Sequence, residues 1–273
     1  AACVGLLVPA SQHGRAITFV FLGWSVASVL GLPLASLIGG TLGWRAAFVA
    51  VGLLSLISAA WVWKAMPDGV KPPALSRRAW RETFQSAPLM LCVLVTTLYS
   101  AGQFVLFSYF APYFKFTLSA SPLELSLFFA WFGLFGFLGN MLMSRNIDWL
   151  GASRAVNLGI ASMALSLALW PLGINLALAG LVVIPWALGC FASNSAQQAR
   201  LAGIAPALAS ASIALNSSAM YAGQAIGAAS GGWLISAQQM GSLNWYGLAG
   251  LLLALGFSVI ATRLIRRQGV RTR

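Results

Sequence analysis

The sequence predicts an all-α membrane protein that crosses the bilayer many times. Composition, recurring charge-free apolar runs and a one-sided distribution of basic residues predict it. Of 273 residues, 59% are hydrophobic and 7% are charged, with mean hydropathy +0.85. A soluble domain of this size cannot bury so much apolar surface. The net charge of +12 is spread over separated loops, so it does not read as a nucleic-acid groove. Cys3, Cys92 and Cys190 lie far apart in apolar runs, and His13 stands alone. No metal site or cofactor is expected.

Taken in order, residues 1–9 are apolar but too short to cross. They read as the tail of a helix whose start is missing, and the chain as a fragment of a larger protein. Complete spans are expected near 16–43, 46–63, 87–114, 125–144, 155–174, 176–199, 207–235 and 243–262, each long enough for a bilayer. Within the first, Gly23, Ala27, Gly31, Ala35, Gly39 and Gly43 fall at every fourth position. That spacing makes one small-residue stripe on a helix, which lets a neighbour approach closely. Pro33 should bend the same helix. The stripe is expected to pack against the 125–144 helix, which carries Gly133, Gly136 and Gly139.

The 64–86 break is long, basic and holds Pro72 and Pro73, so it reads as a linker between two bundles. Fourteen of the sixteen basic residues fall on alternate breaks and the tail, Arg200 among them; Arg45 and Lys115 alone fall on the other side. The positive-inside rule then puts the C-terminus in the cytoplasm. Six spans before the 207–235 helix lies the 16–43 helix. The later one carries Gly223, Gly227 and Gly231 for helix packing, an internal echo that suggests duplication.

These residues resemble the major facilitator superfamily, and within it the twelve-helix drug:proton antiporters of arabinose-efflux type. Gly31, Pro33, Gly39 and Gly40, followed by Gly43, Trp44, Arg45 and Phe48, resemble the antiporter motif of the fifth helix, with Ala35 where the family usually has Gly. Gly139, Arg145, Asp148, Gly151 and Arg154 resemble the cytoplasmic loop signature, with Trp149 in place of the usual basic residue. Asn216 through Gly232 is similar to the eleventh helix. The resemblance implies a major facilitator fold of two six-helix bundles, with about nine of twelve helices present. Residues 1–63 would end the first bundle, 64–86 link, 87–262 form the second, and 263–273 make a basic tail. It further implies a bacterial inner-membrane secondary transporter, expected as a monomer, exporting a small organic solute such as a drug-like amphiphile or sugar in exchange for protons. A non-transporting or truncated member is the alternative.

A substrate cavity needs a few polar and aromatic groups on apolar helices. The candidates are Tyr99, Gln103 and Phe107 on the 87–114 span, Asn194 and Gln197 on 176–199, and Asn216 and Gln224 on 207–235. Their amides could equally bond one helix to another. The four acids, Asp68, Glu82, Glu124 and Asp148, all fall in loops or at helix ends. Without a titratable group deep in a span, either a proton-coupling residue lies in helices missing from the front of this chain, or the protein is not proton-driven. No nucleophile has a base near it, so an enzyme is not expected.

Overall fold

The computed structural model describes residues 27–66 and 76–271. The expectations for Cys3, His13, Gly23, Asp68, Pro72 and Pro73 lie outside them. The described residues are helical, with no strand among them. By internal packing the chain divides into two units, residues 1–74 with 120–133, and residues 75–119 with 134–273.

In the first unit, a π-helical turn, Ala27–Gly31, leads into α1, Leu32–Thr41. The turn has a physical reason. Pro33 sits in the first turn of α1, where its missing N–H breaks no α-helical bond, and the wider turn before it absorbs the irregularity. The bend expected within one continuous helix is therefore a change of helix type. The buried Pro33 carbonyl accepts a hydrogen bond from the Ser126 hydroxyl at 2.9 Å. Gly40 is crowded in the same way, since a Cβ there would lie 2.7 Å from Pro122 Cβ.

The small-residue stripe leaves the helix before its last member, Gly43. Gly31 and Gly39 have no described neighbour within 4 Å of a built Cβ. Gly43 is not on the helix at all. It follows the end of α1 with φ 89° and ψ 156° and starts α2, Trp44–Ala65. That conformation is essentially restricted to glycine. Gly43→Ala should therefore destabilise the α1–α2 turn by about 1–3 kcal/mol, read as a lower melting temperature in detergent, while an alanine tolerated without loss would refute the strain. Next to it, the Arg45 guanidinium lies 4.4 Å from the Trp44 ring centre. None of the residues of α2 is buried. A 22-residue apolar helix in that state needs lipid or further helices around it.

The second unit begins with a helix inside the expected linker: α3, Arg77–Gln85. Ser76 caps it by accepting from the Ala79 N–H at 3.0 Å, and Arg78 pairs with Glu82 at 2.6 Å one turn on. Next come α4 (Ala87–Phe107), α5 (Phe110–Leu118), α6 (Pro122–Leu150, whose residues from 134 onward belong here) and α7 (Ala152–Leu169). The unit closes with α8 (Leu176–Val182), α9 (Ile184–Ile204), α10 (Ala209–Ser236) and α11 (Leu243–Arg271). Two expected spans are thus broken near their ends, at Ser108–Tyr109 and at Val183 before Pro185. The first break aims the Tyr109 hydroxyl at the Ala228 carbonyl, 2.7 Å away.

Helix α4 is the centre of the unit, packed against α10 and α11, while α7 packs against α9 and α11. Glycines set the closest contact. A Cβ on Gly223, Gly227 or Gly231 would collide with the carbonyl oxygens of Thr97, Ala101 and Val105, respectively. The two helices run in parallel and mesh turn for turn. Such approach permits Cα–H···O contacts and dense packing, which hold helices together in lipid. Gly139 is equally tight, but its neighbour is Leu188 of α9, and that of Gly136 is Phe191. Within this unit these two glycines meet α9.

Six helical stretches among the described residues are long and apolar enough to cross a membrane. Helix α10 is not one of them despite its 28 residues, because serine, glycine and amides dilute its apolar content. Those small and polar residues serve its packing on α4.

Candidate functional site

Within the second unit, α4 and α10 start, and α9 ends, at the same end of the bundle. Polar side chains from these helices form successive layers. Nearest that end is Arg200 of α9, only 3% exposed. Its guanidinium donates to the Ser258 hydroxyl at 2.9 Å, the Ser258 carbonyl at 3.1 Å and the Thr262 hydroxyl at 3.0 Å. The Ser258 hydroxyl in turn donates to Asn157 Oδ1 at 2.5 Å. Sequence reading placed Arg200 in a loop as one more topogenic charge. Its burial in the helix bundle corrects that placement.

One turn further in, a chain of hydrogen bonds links α9, α4 and α10. Gln197 Nε2 donates to the Cys92 carbonyl at 2.6 Å. The Thr96 hydroxyl lies 3.3 Å from the same oxygen and donates to Asn216 Oδ1 at 2.5 Å. Gln197, Thr96 and Asn216 are all fully buried. About 16 Å from Cys92 along α4, Trp186 Nε1 donates to Gln103 Oε1 at 3.2 Å. Phe107 and Phe110 lie against the same Trp186 ring, and Phe110 stacks on Trp170 with centres 5.5 Å apart. The column therefore grades from charged, through amide, to aromatic.

Of the expected cavity residues, Gln103, Gln197 and Asn216 bond helix to helix. Their amides are not fully used. Asn216 Nδ2 and Gln197 Oε1 are buried without a partner, as are the hydroxyls of Tyr99, Ser100 and Ser193. Asn194, Gln224 and Phe107 are half-buried. In the loop signature, Gly151 takes φ 80° as it starts α7, while Arg145, Asp148 and Arg154 are exposed. Asp148 makes no ion pair with either arginine, since Arg78–Glu82 is the only salt bridge among the described residues.

Residues 1–228 match the family model described as Major Facilitator Superfamily. The chain belongs to the major facilitator superfamily. As a major facilitator chain it is similar to the inner membrane transport protein YdhP of Escherichia coli, 28% identical over 85% of this chain and 59% of that protein. It is also similar to the transcription regulatory protein OpdE of Pseudomonas aeruginosa, 28% identical over 94% of this chain and 65% of that protein. The purine ribonucleoside efflux pump NepI of Salmonella enteritidis is 26% identical over 94% of this chain and 64% of that pump. The chain thus spans under two thirds of the length of these major facilitator relatives.

Sequence reasoning missed Arg200, Thr96, Ser258 and Asn157. A hydroxyl pair at i, i+4, Ser258 and Thr262, on an otherwise apolar stretch was the available signal for the Arg200 layer.

Proposed function

We propose that this chain is the larger part of a secondary active transporter that exports a small uncharged organic solute across the bacterial inner membrane by proton antiport. The supporting observation is the set of buried, unpartnered polar atoms on α4, α9 and α10. Tyr99 Oη, Ser193 Oγ, Gln197 Oε1 and Asn216 Nδ2 offer both donors and acceptors inside an apolar bundle. Orphaned groups of this kind are rare in native interiors and call for a partner such as water or a ligand. Asn194, Gln224 and Phe107 would line the approach to them. A sugar, nucleoside or drug-like amphiphile matches a site with hydroxyls, amides and rings but no charge, and the name of NepI favours trying nucleosides first.

In this reading Pro33, Gly40 and the Gly43 turn form part of the gate, and the basic breaks and tail face the cytoplasm. Glu82, Glu124 and Asp148 are exposed, so this reading requires a proton-carrying acid beyond the described residues. The test is transport by everted membrane vesicles acidified inside. Uptake of one member of a panel of sugars, nucleosides and cationic dyes, abolished when the pH gradient is collapsed, is expected. Indifference to the whole panel would reject export and favour a non-transporting role, the reading that OpdE's name suggests. Within an active protein, Asn194→Leu should raise the KM for the solute several-fold without lowering protein abundance, and an unchanged KM would remove Asn194 from the site.

A further inference from the structure

A cavity of about 350 Å³ opens beside the Arg200 layer. Gly151, Ala152, Ser153 and Arg154 line one wall, and Arg200 and Thr262 line another. We infer that this cavity binds a phosphate-bearing anion, either free in solution or as a lipid headgroup.

Three features of the second unit converge on it. The first is the start of α7, an 18-residue helix whose cap, Gly151, has no side chain to occupy the leading N–H groups. Those groups and the helix dipole favour an anion. The second, independent of the first, is Arg200. Its side chain is 97% buried, being 3% exposed, and it uses three hydrogen bonds to neutral oxygens. Its Nε–H is sealed inside the protein with no partner, so a ligand would answer the charge and not this N–H, and no carboxylate lies within ion-pair distance of the guanidinium among the described residues. A guanidinium taken out of water without a counter-charge is strongly unfavourable. An anion in the cavity it lines supplies that charge. The third is Arg154, exposed at the rim, which adds a second cation of the type that grips phosphate oxygens in a fork.

The cavity contains nothing that would repel the ligand, since no acidic residue lines it. Asp148 points outward, exposed, and is not part of the wall. Leu150, Ile204 and Ile265 add apolar surface to the lining, which suits the carbon substituent of a phosphate ester. The volume far exceeds the roughly 30 Å³ that one water occupies. The Thr262 hydroxyl is held by Arg200 and donates to the Ser258 carbonyl at 2.8 Å, so the guanidinium plane is fixed before any ligand arrives.

The experiment uses the purified, delipidated protein in a neutral detergent. In one arm, inorganic phosphate is titrated by calorimetry at constant ionic strength. In the other, the protein is placed in phosphatidylcholine nanodiscs with or without phosphatidylglycerol, and retained lipid is counted by native mass spectrometry. Saturable binding in one arm is expected and names the source of the phosphate. Arg154→Gln should weaken it at least tenfold, as expected for loss of a charge-assisted contact. Arg200→Met, which keeps the side-chain volume, should abolish it while leaving the protein folded. If Arg200→Met does not fold, the exposed Arg154→Gln decides alone. No saturable binding in either arm, or binding that Arg154→Gln leaves unchanged, overturns the inference.

Discussion

Replacing Gly227 with leucine is expected to prevent the second unit from forming. The Cα of Gly227 faces the Ala101 carbonyl so closely that even a methyl group would overlap it, and the Phe104 Cβ lies 3.0 Å from the same point. A leucine would have to push α10 off α4 over its whole length, because Gly223 and Gly231 fix the same separation one turn to either side. Overpacking of this kind typically costs about 1–3 kcal/mol, and loss of the two flanking contacts adds to it. The expected readout is protein degraded in the membrane or aggregated on extraction. Gly256→Leu on α11 is the control. Gly256 is exposed and has open space around it, so its variant should accumulate normally. Equal abundance of the two variants would show that close approach of α4 and α10 does not hold the unit together.

Asn216→Leu should separate stability from transport. The side chain is fully buried, and leucine has a similar volume. Its Oδ1 accepts from Thr96, whose hydroxyl retains the Cys92 carbonyl 3.3 Å away as an alternative. Its Nδ2 has no partner to lose. Removing an orphaned donor from an apolar interior is neutral or stabilising. If that donor serves the solute, solute export falls tenfold or more, equivalent to about 1.4 kcal/mol, with the melting temperature unchanged or raised. An Asn216→Leu protein that exports at the normal rate would show that the amide layer is structural.

The contrast between glycine stripes shows what spacing can and cannot tell. Gly223, Gly227 and Gly231 recur every fourth residue, and Gly31, Ala35 and Gly39 do the same. The first set meets the backbone of α4, while Gly31 and Gly39 meet no described atom within 4 Å. Spacing identifies a small face on a helix, but the neighbour comes from chain segments more than a hundred residues away. The long apolar helices were legible because twenty apolar residues between charges have few alternatives in a bilayer, but the breaks at Ser108–Tyr109 and Val183 were not. The π-helical turn before Pro33 was not, because proline announces an irregularity without specifying how the chain absorbs it. Arg200 was misplaced for a related reason. A basic residue near a span end normally marks the cytoplasmic border, and the hydroxyls that accept its hydrogen bonds here come from Ser258 and Thr262 on another helix. Gln103, Gln197 and Asn216 were identifiable as unusual residues for their surroundings. Their bonds to Trp186, Cys92 and Thr96 needed the packed structure.

The meshing of α10 with α4 also restricts how the bundle can deform. Gly223, Gly227 and Gly231 of α10 each form a notch that receives one carbonyl of α4, and the notches repeat every four residues, a rise of about 6 Å. A shift of an ångström or two would lift all three carbonyls onto the ridges between notches at once. The pair has no gradual sliding coordinate: it stays in register or jumps a whole notch, as packed helices that ratchet do. Any smaller displacement of the bundle must pass through other helix boundaries, with α4 and α10 carried along as a single rod.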